Sequence, residues 1–168
     1  MLLFGKIMSL VVALVAVFVA AALKTNKRPP WHQGDKWGAF LSIYDRIVSD
    51  QFGDCTSRVL DHDRFGSTQV HACGNPAHPA VFLLHGAAEC ALMWGDWAVP
   101  ALREGGYYVV SIDTLCDTGR SRPKNGDPAN CPQGKGEMTE WILDLKAQLG
   151  IKEPISLVGY SYGSFISS

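Results

Sequence analysis

Apolar positions along this chain follow three successive patterns. From Ile7 to Leu23 they run with neither charge nor proline between them, a stretch that spans roughly 26 Å as a helix at about 1.5 Å per residue. Leu2, Leu3 and Phe4 extend it beyond Lys6, whose long side chain reaches the headgroups, so residues 1–23 read as a transmembrane helix. Residues 24–35 are polar, carry Pro29 and Pro30 and read as a linker, with Trp31 near the membrane interface. Trp37, Phe40, Leu41, Tyr44, Ile47 and Val48 then recur at three- and four-residue intervals. That spacing predicts an amphipathic helix from about Asp35 to Asp50, its stripe packed on a domain or lying at the membrane surface. Helix and connector together occupy residues 36–59.

From Thr68 onward short apolar runs alternate with helical stretches, which predicts an α/β fold with a mostly parallel sheet and crossover helices over residues 60–168. Thr68 to Ala72 reads as an early strand, ended by the turn Gly74-Asn75-Pro76. Ala80 to Leu84 is a continuous apolar strand, followed by a helix around Trp94 to Arg103 that Gly105-Gly106 ends. Tyr107 to Ile112 is a second buried strand, and residues 123–137 are an irregular loop rich in Gly, Pro and Asn. Met138, Trp141, Ile142, Leu145 and Leu149 lie on one helical face that stops at Gly150. Ile155 to Val158 is the last strand; it runs into Gly159-Tyr160-Ser161-Tyr162-Gly163 and a helix beginning Ser164-Phe165-Ile166.

The first segment admits a second reading. Lys6 would serve as a short basic region and Ala20, Ala21 and Ala22 as the small residues of a cleavage site, making residues 1–23 a signal peptide and the rest secreted or lumenal. Lys24, Lys27 and Arg28 follow the span, and this bias favours a cytoplasmic C-terminal part if the helix is an anchor. A net charge of −1 with both signs scattered offers no surface for nucleic acid. The five cysteines show no C-x-x-C spacing, so neither a metal site nor a cofactor is expected. In an oxidising compartment Cys55 with Cys73, or Cys116 with Cys131, would bridge loops; in a reducing one they stay separate thiols.

The strongest chemical signal is Gly159-x-Ser161-x-Gly163 between a buried strand and a helix start. Two glycines relieve crowding at a sharp strand-to-helix turn, so a serine there sits exposed and strained at the sheet's carboxyl edge, with helix N–H groups aimed at the developing negative charge. His85-Gly86-Ala87 follows an earlier strand. A glycine-containing turn there brings a backbone N–H to a substrate oxygen, so the amides of Ala87 and Tyr162 are the expected oxyanion donors and His85 a turn histidine rather than a base.

Asp113-Thr-Leu-Cys-Asp-Thr-Gly119-Arg-Ser121 closes the second strand. Together with Val81-Phe-Leu-Leu-His85-Gly86, Trp94, the helix around Trp141 and Leu157-Val-Gly159-Tyr-Ser161-Tyr-Gly163, it resembles the ordered motifs of the α/β-hydrolase superfamily. The resemblance covers about residues 60–168, and two positions depart from it: Cys116 and Ser164 stand where glycine is common, and Ser164 puts a side chain where helix and strand pack closely.

The resemblance implies that Ser161 is the nucleophile and that Asp113 organises a loop rather than serving as the catalytic acid. It also implies that the chain is not of the dehalogenase or epoxide-hydrolase branches, which use aspartate at that position. In this fold the acid and then the histidine follow the serine. Only residues 162–168 follow Ser161, and His32, His62, His71, His78 and His85 all precede it. The chain is therefore expected to be the N-terminal part of such a domain, weakly active alone, with the Ile155–Val158 strand as an exposed apolar edge. The expected activity of the whole is hydrolysis of an ester, thioester or related acyl bond, with a small, lipid-like acyl substrate suggested by the anchor. The rivals are transfer of the acyl group to an alcohol or amine, and a truncated pseudo-hydrolase acting as a membrane-tethered binding module.

Overall fold

A computed structural model describes residues 35–168. The predicted span and nearly all of the linker lie outside the described residues, and among these no helix is long and apolar enough to cross a membrane. In chain order the elements are α1 (Asp35–Gln51), β1 (Thr56–His62), β2 (Gly66–Cys73), β3 (Ala80–Leu84), α2 (Ala98–Glu104), β4 (Tyr108–Ile112), β5 (Arg122–Pro123), α3 (Gly134–Gln148), β6 (Ser156–Gly159) and α4 (Tyr162–Ser167). Short 3-10 turns lie at Ala91–Trp94, Lys124–Gly126 and Pro128–Asn130.

The six-stranded sheet has the order β1-β2-β4-β3-β6, with β5 beside β2. It is mixed rather than mostly parallel. β3 pairs in parallel with β4 and β6, whereas β2 pairs antiparallel with β1, β4 and β5. Helical crossovers return the chain to the same end of the sheet only after β3 and β4; β1 and β2 are joined by a tight hairpin, which forces opposed directions. Hydrophobic pattern reports burial, not strand direction, so it could not separate the two halves.

Alternation explains why β3 reads as an unbroken apolar run. Ala80, Phe82 and Leu84 pack on one face with Val110, Ile112, Trp141, Ile142 and Leu145, while Val81 and Leu83 pack on the other with Phe52, Trp94 and Val99. Both faces are covered, so both must be apolar. The buried Trp141 indole donates to Thr68 Oγ1 at 2.9 Å, so its N–H is paired inside that core.

Both predicted helical stripes form. α1 buries Tyr44 to 1% exposure, with Trp37, Phe40, Leu41, Ile47 and Val48 partly covered and Ile43 between them open to solvent. α3 begins at Gly134, inside the stretch expected to be loop, because its first turn is exposed and carries no apolar signal. The helix expected around Trp94 to Arg103 is broken: a 3-10 turn ends at Trp94, and α2 starts only at Ala98. Gly95 between them lies so close to Gln51 and Phe52 at the end of α1 that a Cβ there would strike both side chains.

β1 begins at Thr56, ahead of the expected domain boundary. Thr-Ser-Arg-Val-Leu-Asp-His shows no apolar run because it is an edge strand with only Leu60 fully buried. Its start is tied to the end of β2 by a Cys55–Cys73 disulfide with a Cα separation of 4.4 Å, continuing the register in which Thr56 faces Ala72. A second disulfide joins Cys116 to Cys131, and Cys90 is free.

Peptide mapping under non-reducing conditions is expected to recover these two pairs with Cys90 as the free thiol. Replacing Cys55 and Cys73 together by alanine should lower the unfolding free energy in urea by about 3 kcal/mol. An unchanged midpoint would show that the hairpin does not depend on the bond.

Candidate active site

The turn from β6 into α4 is built by close approach. A Cβ on Gly163 would overlap the Leu84 carbonyl at the end of β3, and one on Gly159 would overlap the backbone of Gly163 and Ser164. Both positions therefore demand glycine. Tyr160 N–H donates to Leu84 O at 3.0 Å and Gly163 N–H to Tyr160 O at 2.8 Å, winding the chain tightly around Ser161. Ser161 adopts φ 51° and ψ −109°, a backbone state that a residue with a Cβ occupies only when its surroundings enforce it. The residue is exposed. Ser164 does not crowd the helix: it is exposed, and its Oγ donates to Gly159 O at 2.6 Å.

Beside the elbow lies the turn after β3. His85 is fully buried; its Nε2 accepts from Thr114 N–H at 2.9 Å, so the ring proton sits on Nδ1, which donates to Gly86 O at 2.8 Å. Both ring nitrogens are thus engaged in joining this turn to the end of β4. Ala87 is exposed, and Ala88 takes φ 64°. Neither the Ala87 nor the Tyr162 amide donates to any group among the described residues.

Asp113, fully buried at the end of β4, accepts from three segments: Ala91 N–H at 2.7 Å, Arg120 N–H at 2.6 Å and the Tyr44 hydroxyl of α1 at 2.9 Å. Gly119 passes so near this carboxylate, at φ 125°, that a Cβ would strike it. Burial pushes the Asp113 carboxyl up, against the three donors, which pull it down.

The Tyr44 hydroxyl hydrogen goes to Asp113, so its oxygen accepts from His71 Nε2 at 2.8 Å, and His71 Nδ1 accepts from Ser57 Oγ at 2.7 Å. α1 is further held by the Arg120 guanidinium over the Tyr44 ring at 5.3 Å and by Arg122 over Trp37 at 4.6 Å. Of the sequence candidates, Ser161, Gly159, Gly163 and Tyr162 lie on the elbow and His85, Gly86 and Ala87 on the adjoining turn, with Asp113 at the end of β4 beneath the loop. Tyr44 and His71 carried no chemical signal in the sequence, Tyr44 being one more member of an apolar stripe.

The sequence model for the alpha/beta hydrolase fold matches residues 79–168. This chain belongs to that family. It is similar to Epoxide hydrolase A of Mycobacterium tuberculosis, at 28% identity over 114 residues, covering 68% of this chain and 33% of that protein. Among solved structures it is similar to naproxen esterase (carboxylesterase NP) from Bacillus subtilis, with a TM-score of 0.63 and 27% identity over 78% of this chain and 43% of the esterase. Carboxylesterase CesB from the same organism gives a TM-score of 0.62 at 25% identity, covering 76% of this chain and 42% of that one. The chain thus spans about a third of the epoxide hydrolase and less than half of each esterase.

Burial and, second to it, the Arg120 guanidinium push His71 down from an ordinary 6.5 to about 4. The unfolded chain therefore binds a proton that the folded one refuses, so the stability contributed by the neutral ring is full above pH 6.5 and is lost as pH falls toward 4. Between pH 7 and 5 the loss should be about 2 kcal/mol. His71→Gln should flatten that limb in thermal unfolding; because Asp113 acts with the opposite sign, the difference between wild type and variant is the quantity to read. Parallel curves would show that His71 does not titrate between the two states.

Proposed function

We propose that the protein is a serine hydrolase acting on an ester, thioester or related acyl bond, with Ser161 as the nucleophile. The observation that carries this reading is the Ser161 backbone, held at φ 51° between two glycines that pack against each other and against Leu84. A strained, exposed serine at the carboxyl end of the parallel β3–β6 pair costs stability without improving packing, and such strain persists where it serves chemistry. Ser161 Oγ attacks the substrate carbonyl carbon, and the amides of Ala87 and Tyr162, unpaired among the described residues, donate to the resulting oxyanion. Collapse of the tetrahedral intermediate expels the alcohol or thiol, and water then releases the acyl group.

The proton leaving Ser161 needs a base. His71 and His85 are buried with both ring nitrogens engaged. In this fold the acid and histidine come after the nucleophile, in the part of the relatives' length that this chain does not span. Serine at this position, rather than the aspartate of epoxide-opening relatives, supports acyl transfer, as does the likeness to two carboxylesterases.

The apolar run at Ile7–Leu23 supports tethering to a membrane, and with it a small, lipid-like acyl substrate. Two disulfides support an oxidising side for the catalytic domain, and they outweigh the three basic residues after the span, which argue for the cytoplasm.

In membranes containing the full-length protein, a fluorophosphonate probe is expected to label it covalently, and Ser161→Ala should abolish the label. Equal labelling of the two forms would overturn the assignment of Ser161.

A further inference from the structure

Three successive backbone amides follow His85 in the turn after β3, and they have different fates. Gly86 N–H donates to Glu89 Oε2 at 3.0 Å. Ala88 N–H donates to both oxygens of Asp117, at 2.9 and 3.1 Å. Between them, the Ala87 N–H has no acceptor among the described residues, and Ala87 is exposed. We propose that Glu89 and Asp117 are positioning residues that bracket this turn so that Ala87 alone presents its amide to the substrate oxygen, an inference that rests on the serine-hydrolase reading above.

The geometry accounts for why two carboxylates are needed. Ala88 sits at φ 64°, in the left-handed region that alanine holds only under constraint, and the two bonds from its amide to Asp117 supply one. Asp117 is itself oriented by its own loop, accepting from Thr118 N–H at 2.8 Å. Glu89 closes the other side: its backbone N–H returns to Gly86 O at 3.2 Å while its carboxylate takes Gly86 N–H.

Glu89 also faces the elbow. A Cβ placed on Gly86 would lie 2.7 Å from Glu89 Oε2 and 3.0 Å from Tyr160 Cδ1, so this carboxylate and the residue before Ser161 converge on one point. The brackets therefore register the turn after β3 against the strand that carries the nucleophile. Two like charges at this turn repel each other, and burial together with Glu89 pushes the Asp117 carboxyl up. A pair of acids kept here despite that repulsion is explained by the amides they hold.

The test is the rate of covalent labelling by the fluorophosphonate probe, with p-nitrophenyl acetate turnover per labelled site, in full-length wild type, Asp117→Ala, Asp117→Asn and Ser161→Ala. An asparagine carbonyl can still accept from Ala88, whereas alanine cannot. Asp117→Ala should slow labelling and lower kcat by about tenfold or more with KM little changed, and Asp117→Asn should recover most of the rate. A role confined to loop stability would lower the melting temperature and the number of labelled sites but leave the rate per site intact, and that result overturns the proposal.

Should Asp117→Ala fail to fold, Glu89→Ala with Glu89→Gln carries the same comparison at Gly86. Labelling of wild type but not Ser161→Ala, with Asp117→Ala as fast as wild type, removes the brackets and leaves the serine hydrolase standing. Labelling of Ser161→Ala as fast as wild type, or no labelling of wild type, removes both.

Discussion

A carboxylate taken wholly out of water has to be supplied with donors, and in this protein the donors for Asp113 come from three places in the chain. Tyr44 reaches it from α1, Ala91 from the 3-10 turn before α2, and Arg120 from the far side of its own loop. An ionised carboxylate left with one donor missing at such depth is costly, so none of these segments can move far while the others stay. Gly119 adds a steric condition to the electrostatic one by leaving room for the carboxylate. Through Thr114, the residue after Asp113, the arrangement reaches His85 and from there the turn carrying Ala87. One buried charge thus connects the helix that precedes the sheet to the turn after β3.

Parts of this architecture were legible in the sequence and parts were not, for reasons that can be stated residue by residue. β3 and β4 were visible because both faces of each are buried, and α1 and α3 because each buries one stripe. β1 was hidden because this edge strand is exposed at all but Leu60 and His62 and carries no apolar run, and strand direction was hidden because polarity does not encode it. The elbow was legible since its glycines, serine and flanking strand are consecutive. Tyr44 and Asp113 are 69 residues apart, and Ala88 and Asp117 are 29 apart; no local pattern announces partners that meet only after folding. His71 escaped notice for the same reason, being one histidine in a strand until Tyr44 and Ser57 reach its two nitrogens.

Family membership and local chemistry pull on the functional reading from different directions. Similarity in sequence is to an epoxide hydrolase, while similarity in structure includes two carboxylesterases. A shared sheet accommodates both chemistries, so overall likeness does not choose between them. The choice rests on local groups, and at the strained elbow position this chain carries a hydroxyl.

Cys116 occupies a loop position with φ of 67°, a backbone state to which glycine is suited. The backbone state is retained, but the cysteine is bonded to Cys131, next to the 3-10 turn at Pro128–Asn130. A tolerance that glycine has by virtue of lacking a side chain is thereby replaced by a covalent tether. The shape of the loop then becomes a matter of biosynthetic history: a chain folded where thiols stay reduced has the same sequence but lacks the clasp beside Asp117. Thiol oxidation during maturation is in that sense part of the information that specifies this site, alongside the amino acids themselves.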